Sequence, residues 1–317
     1  MRLVTIDDVP GGSPGAQLAS GEVLHLLRAA RPSTLEAWLP RSITGILEGG
    51  KPALSLVRDI VSRAEQGEGI VELKNAGAIL DGGTPLLAPI PAPRLLLAVG
   101  LAYRSHLAEM AGTPAPEHPT AFMKSPSSVA APGHSLTLPP AANDMVDFEG
   151  ELACVFGRPC HNVTPADAMD HIAGYMAAND ISARNWAPAV WAASDPWKAR
   201  LTWEVNIMGK QFPGFTPLGP VLTTVDDIPD PSALRLVTRL NGQVMQDAQV
   251  SDMIFPLDEV ISYFSRWYHF QPGDVLLTGT PAGVGIGRKP PIFLTPGDRV
   301  EVEIDRIGTL STPIRAI

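Results

Sequence analysis

The segment 147–156, DFEGELACVF, constrains this chain more than any other stretch. Phe148, Leu152, Val155 and Phe156 supply the apolar and aromatic bulk of a β-strand, while Glu149 and Glu151 stand two positions apart. Side chains two apart share a strand face, with Cα atoms roughly 6–7 Å apart, so both carboxylates can reach one ion. Two like charges on one face of an apolar strand are unfavourable unless a cation compensates them. A third carboxylate, Asp180, follows the apolar run 172–178, where the chain is expected to pass from strand to loop. Three oxygen ligands with no Cys or His cluster nearby suit a hard divalent ion, Mg2+, Mn2+ or Ca2+, rather than zinc. Spacing alone equally allows a solvent-facing strand edge for Glu149 and Glu151, with Asp180 capping a turn.

With 317 residues, 45% of them hydrophobic, the chain can bury a sizeable core as one large domain or two. Thirty-two Pro and 29 Gly fit a β-rich fold with many turns. A net charge of −9 with scattered Lys and Arg argues against nucleic acid as a partner. Cys154 and Cys160 are too few for a disulfide framework, which points to a reducing compartment. Asp7 and Asp8 fall where a signal peptide needs its apolar core, and no later run approaches 18 uncharged apolar residues. The expectation is a soluble, cytoplasmic protein with no membrane contact.

Residues 1–90 read as a small α+β region. A strand-like run at 3–6 leads to a Gly/Ser/Pro turn at 11–15, and helical spacing follows over 21–66. Val23, Leu24, Leu26 and Leu27 fall on one short helix, Ile43, Ile46 and Leu47 on a second, and Leu54, Leu56, Val57, Ile60 and Val61 on a third. The turn spells G-x-S-x-G, but Pro14 directly after Ser13 denies the helix that a nucleophile elbow requires. The prolines at 89–93 mark the junction to a second domain, 91–317.

That domain opens with a buried strand at 95–99 and then LAYRSHLAEMAG, where His106 and Glu109 share a helix face and can hydrogen-bond. A His oriented by a carboxylate is a common general base, although an incidental surface pair has the same spacing. Lys124 ends an apolar strand and needs a partner for its charge. Four of the six tryptophans, Trp186, Trp191, Trp197 and Trp203, lie close together, either as a cover over a site or as core and dimer-contact residues. Strand-like runs at 221–224 and 234–240, an Asn241-Gly242 hairpin signal and a helix over 253–268 follow, with Leu257, Val260, Ile261 and Phe264 on its apolar face. The strand 274–278 runs into GTPAGVGIG, which lacks both the G-x-G-x-x-G spacing and a Walker lysine, while Pro290-Pro291 blocks the helix such motifs need. A backbone-lined turn at the mouth of a site fits better. In the closing strand, Val300, Val302 and Ile304 face inward.

Taken in order, GLAYRSHLAE, FMKSP, DFEGELACVFG, GYMAANDISAR, GKQFPGFTPLGP, NGQVMQD, MIFPLDEVISYFS, PGDVLLTGTPAGVG and PGDRVEVEI resemble the fumarylacetoacetate hydrolase family over roughly 95–313. The resemblance implies an α+β, β-rich fold whose catalytic domain is a rolled, mostly antiparallel β-sheet, usually in a homodimer. It implies that Glu149, Glu151 and Asp180 hold Mg2+, with Mn2+ or Ca2+ as alternatives, and that His106 and Glu109 activate water from a lid segment. Lys210 is implied as catalytic, and Tyr103, Lys124, Arg184 and Thr280 as substrate contacts. The implied substrate is a small keto acid. The leading expectation is hydrolysis of a C–C bond in an acylpyruvate- or fumarylpyruvate-like diketo acid, in catabolism of an aromatic or sugar acid. The alternative is decarboxylation or isomerisation of an oxaloacetate-like β-keto acid on the same metal site. Departures from the family pattern keep that alternative open: Ala102 where relatives carry Asn, Ala187 where hydrolases commonly carry Gln, and Asn185 for a frequent Asp. A binding protein that keeps the fold without the chemistry is disfavoured, because the three carboxylates and the His–Glu pair are all present.

Overall fold

The strand Gly150–Phe156 is buried along its whole length. It pairs antiparallel with Ile172–Asn179 on one edge and with Val275–Leu277 on the other, and apolar clusters cover both of its faces. Leu152, Cys154 and Phe156 face one cluster, and Ala153 and Val155 face the other. Burial on both faces is why the strand reads as a continuous apolar run rather than an alternation. Residues 1–30, 37–110, 112–142 and 144–316 are described in this computed structural model.

Around this strand runs a 12-stranded sheet, the count being of the described residues. Its main path is Ile79–Leu80, Val23–His25, Ser13–Gln17, Arg2–Ile6, Thr216–Thr224, Ile172–Asn179, Gly150–Phe156, Val275–Leu277, Leu96–Gly100 and Thr120–Met123. Along that path only Val275–Leu277 and Leu96–Gly100 run parallel. A second sheet holds Gln243–Gln249, Arg235–Leu240, Arg299–Ile304, Gly308–Arg315 and Leu136–Thr137. Its inward residues Leu236, Val302, Ile304 and Leu310 join the cluster on one face of the main sheet. Two mostly antiparallel sheets packed together, with short helices at the periphery, make the α+β, β-rich fold that the sequence implied.

The first 90 residues do not build a sheet of their own. Arg2–Ile6 pairs with Thr216–Thr224, so the sheet is continuous across the junction placed at residue 90. Two local expectations change. Residues 13–17 form a strand, and the turn lies ahead of it, where Gly11 and Gly12 take φ of 83° and 77°. Val23–His25 is also a strand, and among the described residues the helix that follows it is Leu26–Ala30. Cross-strand hydrogen bonding outcompetes a helical pattern too short to bury a face of its own. The part of that helical reading on 31–36 lies outside the described residues. Helices Ile43–Glu48 and Gly50–Glu65 are as expected, with Ile43, Ile46, Leu47, Val57 and Val61 buried. The later helix is Leu257–Ser265, shorter than 253–268, because Pro256 sets its start.

The tryptophan-rich segment forms helices Ala187–Trp191 and Pro196–Met208, the second capped by Asp195, which accepts the Trp197 and Lys198 N–H groups at 3.0 Å. No residue of the second helix is buried, and Trp191, Trp197 and Trp203 are exposed. Only Trp186 packs against the core. The cysteines are free and buried, and among the described residues no helix is long and apolar enough to cross a membrane.

Candidate active site

Two neighbouring strands deliver three carboxylates to one point. Glu149 immediately precedes Gly150–Phe156, Glu151 is that strand's second residue, and Asp180 directly follows Ile172–Asn179. Gly150 pairs with Asn179, and the Asp180 N–H donates to the Glu149 carbonyl at 2.8 Å, which sets the third carboxylate beside the first two. One oxygen from each of the three lies within 4.8 Å of the others. Glu149, Glu151 and Asp180 are 6%, 1% and 1% exposed, which rules out a solvent-facing strand edge.

Three cations and a fourth acid surround them. Lys124, following the strand Thr120–Met123, donates to Asp180 and to the carbonyls of Lys210 (2.8 Å) and Phe215 (3.2 Å), which supplies the partner its charge required. Lys210 Nζ lies 2.6 Å from Glu149 Oε2 and 2.6 Å from Asp180 Oδ2. Arg184 bridges Glu149 and Asp147, with Nε 3.1 Å from Asp147 Oδ2. Burial opposes ionisation of Glu149, but Arg184 and Lys210 outweigh it and hold that carboxyl well below the usual range. Glu151 is the opposite case: burial, then Asp180 and Glu149, push it well above that range. Its hydrogen bond is from the Gly279 N–H at 2.8 Å, and among the described residues no side-chain cation forms an ion pair with it. Burial opposes the charge on Lys210, yet Asp180 and Glu149 raise it, whereas for Lys124 burial prevails and lowers it.

A converging set of buried carboxylates, one of them in no ion pair among the described residues, fits a hard divalent ion with oxygen ligands. Glu149, Glu151 and Asp180 would hold it.

The helix Arg104–Glu109 carries His106 and Glu109 to the same region. His106 Nδ1 is 3.2 Å from Glu109 Oε2, which leaves Nε2 available to a ligand, and the imidazole is near enough to Glu149 for their charges to interact. The glycine-rich turn after Val275–Leu277 lines the site with backbone N–H groups. Gly279 donates to Glu151, Gly283 to Glu109 Oε1 at 3.0 Å, and Gly285 and Ile286 to Asp147 at 2.7 and 3.1 Å. This is the backbone-lined turn that the sequence suggested.

The profile of the fumarylacetoacetate (FAA) hydrolase C-terminal domain matches residues 96–315, the part of the chain that carries this geometry. The chain belongs to the fumarylacetoacetate hydrolase family. A curated family relative, the mitochondrial oxaloacetate tautomerase fahd2 of Xenopus laevis, is 37% identical over 316 residues, covering 99% of this chain and 90% of that protein. The oxaloacetate tautomerase YisK of Bacillus subtilis is 39% identical over 232 residues, 72% of each chain. Among solved structures, a fumarylacetoacetate hydrolase from Exiguobacterium antarcticum superposes with a TM-score of 0.74 at 28% identity, covering all of both chains.

Within the family frame, the structure brings together Lys124, Glu149, Glu151, Asp180, Arg184 and Lys210, with the His106–Glu109 pair beside them. Two of the implied substrate contacts are engaged within the protein. Tyr103 is completely buried in the main core and its hydroxyl lacks a hydrogen-bond partner, so no edge of the ring faces an open site. Thr280 spends its hydroxyl inside the protein, donating to the Gly150 carbonyl at 2.9 Å and accepting from Gln246 Nε2 at 2.7 Å. Three further residues support the site. Asp147 anchors Arg184, Asn179 Oδ1 accepts the Glu149 N–H at 2.9 Å, and Gln246 accepts the Gly150 N–H at 2.9 Å. Asp147 stands two positions before Glu149, so the same alternation that picked out the glutamates also pointed to it. Gln246 and Asn179 carried no such signal, because their roles are hydrogen bonds across strands.

Proposed function

We propose that this chain is a divalent-metal-dependent tautomerase that interconverts the enol and keto forms of an oxaloacetate-like 2-keto dicarboxylic acid. The observation that carries this reading is the His106–Glu109 pair, a ready proton carrier beside the carboxylate cluster. Ala102 and Ala187, both buried, offer no polar side chain to seat an attacking water. The near full-length likeness to an oxaloacetate tautomerase supports the same choice.

A divalent ion held by Glu149, Glu151 and Asp180 would supply Lewis acidity at the substrate's keto oxygen. The side chains do the rest. His106 takes the enol proton at Nε2 and returns a proton to the adjacent carbon, so the reaction neither gains nor loses atoms. Glu109 orients the imidazole through Nδ1 and stabilises its protonated form during the transfer. Lys210 and Arg184 place positive charge where the substrate's oxygens gain negative charge.

The test is to dilute the enol of oxaloacetate from dry solvent into buffer with protein and Mg2+, and to follow loss of enol absorbance. Chelator-sensitive acceleration, with no carbon dioxide and no pyruvate formed, is expected. Hydrolysis of a diketo acid is the second reading, favoured by the fact that the same His–Glu pair can deprotonate a water. Release of pyruvate and a second acid from an acylpyruvate, without faster enol loss, would replace the first reading with the second.

A further inference from the structure

Glu109 is held on three sides. Its Oε2 faces His106, its Oε1 accepts the Gly283 N–H at 3.0 Å, and Gly287 closes the third side. A Cβ built on Gly287 would lie 2.5 Å from both the carboxyl carbon and Oε1 of Glu109, and 2.9 Å from its Cγ. These are the nearest atoms to that Cβ, and all belong to Glu109. Gly287 is not among the glycines with positive φ, so its backbone conformation is one that alanine adopts freely.

The turn itself has little room to yield. Gln246 Nε2 donates to the Pro281 carbonyl at 2.9 Å, and Arg288 ties the Gly283 carbonyl (3.2 Å) to the Met245 carbonyl (2.6 Å). A Cβ on Gly283 would meet the Met245 carbonyl oxygen at 2.0 Å, so the turn is pressed against its neighbouring strand. Crowding at residue 287 is therefore relieved by moving the Glu109 side chain, not the turn. The same turn holds Glu151 through Gly279 and Asp147 through Gly285 and Ile286. It thus sets the distance between the His–Glu pair and the carboxylate cluster.

We propose that the turn 279–287 registers the His106–Glu109 pair against the metal-binding carboxylates, with Gly287 a positioning residue that keeps the Glu109 carboxylate on the imidazole. The kinetic part of this inference rests on the proposed proton transfer; the structural part does not. The test compares the wild type, Gly287→Ala, Glu109→Ala and the double variant in three measurements. These are turnover of the oxaloacetate enol, Mg2+ affinity by calorimetry, and hydrogen exchange of the Gly283 amide.

Gly287→Ala is expected to lower kcat about 10–100-fold, the usual scale for disturbing a residue that orients a reacting group. It should leave the Mg2+ dissociation constant at its wild-type value, since the atoms a Gly287 Cβ meets belong to Glu109 and not to the three carboxylates. Adding it to Glu109→Ala should cost nothing more, because the crowded carboxylate is already gone, and this non-additivity is what a general packing defect would not produce. Gly283 exchange should quicken in both single variants. If Gly287→Ala folds poorly, Glu109→Ala should restore folding by clearing the same atoms. Wild-type kcat and Gly283 protection in Gly287→Ala, or losses that multiply in the double variant, would overturn the proposal. If the wild type fails to turn over the enol, the functional reading falls, and Gly283 exchange alone decides whether the clamp exists.

Discussion

Replacing Lys210 with Met removes a buried ammonium that bridges Glu149 and Asp180 at 2.6 Å each, while the new side chain can still pack near the Phe122 ring, whose centroid is 5.2 Å from Nζ. The cluster holds four carboxylates, Asp147, Glu149, Glu151 and Asp180, against three cations, Lys124, Arg184 and Lys210. Without Lys210, Glu149 and Asp180 lose the buried cation they share, which leaves excess negative charge in the site. Removing one partner of such a pair costs about 3–5 kcal/mol. At roughly 2.1 cal/mol/K of unfolding entropy per residue, a chain of this length should melt about 5–7 °C lower in the presence of chelator. A divalent ion neutralises the excess, so Mg2+ should raise the melting temperature of Lys210→Met by more than it raises that of the wild type, and should bind the variant more tightly. On the proposed reaction turnover should fall as well, because Lys210 is assigned there to the substrate's oxygens. Calorimetric melts of both proteins, with chelator and with saturating Mg2+, decide the matter. A metal-free variant that melts within about 2 °C of wild type, or that gains no more from Mg2+ than wild type does, would show that Lys210 does not balance the carboxylates.

Metal binding should depend on pH through Glu151. Burial, with Asp180 and Glu149 adding to it, raises this carboxyl in the folded protein above its ordinary value of 4.5. Its contribution therefore favours the fold below pH 4.5 and is lost as pH rises through the raised value. The ion requires the ionised form, so Mg2+ affinity should climb over the window above pH 4.5, by up to about tenfold per unit with one proton released. Calorimetry in two buffers of different ionisation enthalpy measures that proton, and a pH-independent affinity with none released would contradict the assignment. His106→Ala should reduce turnover about 10²–10⁴-fold while Mg2+ binding is retained, and loss of the ion in this variant would mean that the imidazole belongs to the metal site instead.

Much of the site was legible from sequence because its residues sit at spacings that local geometry enforces. Glu149 and Glu151 stand two apart at the entry to one strand, His106 and Glu109 lie one helical turn apart, and Asp180 stands at the end of an apolar run. The residues 13–17 and 23–25 were misread because a run of three to five apolar or small residues is compatible with either period, and only pairing with a distant strand selects one. Of the substrate contacts that resemblance implied, Tyr103 lies in the core and Thr280 is engaged by Gln246, neither of which local spacing encodes. The spacing of acids, base and glycines along the chain thus determined which chemistry the protein is equipped for. Tertiary structure alone decided that Glu151 forms no ion pair among the described residues, that Asp147, Asn179 and Gln246 brace the cluster, and that Gly287 meets Glu109. Those contacts join residues between 30 and 178 positions apart, and what each requires of its partner is set by burial and approach distance, which no local pattern encodes.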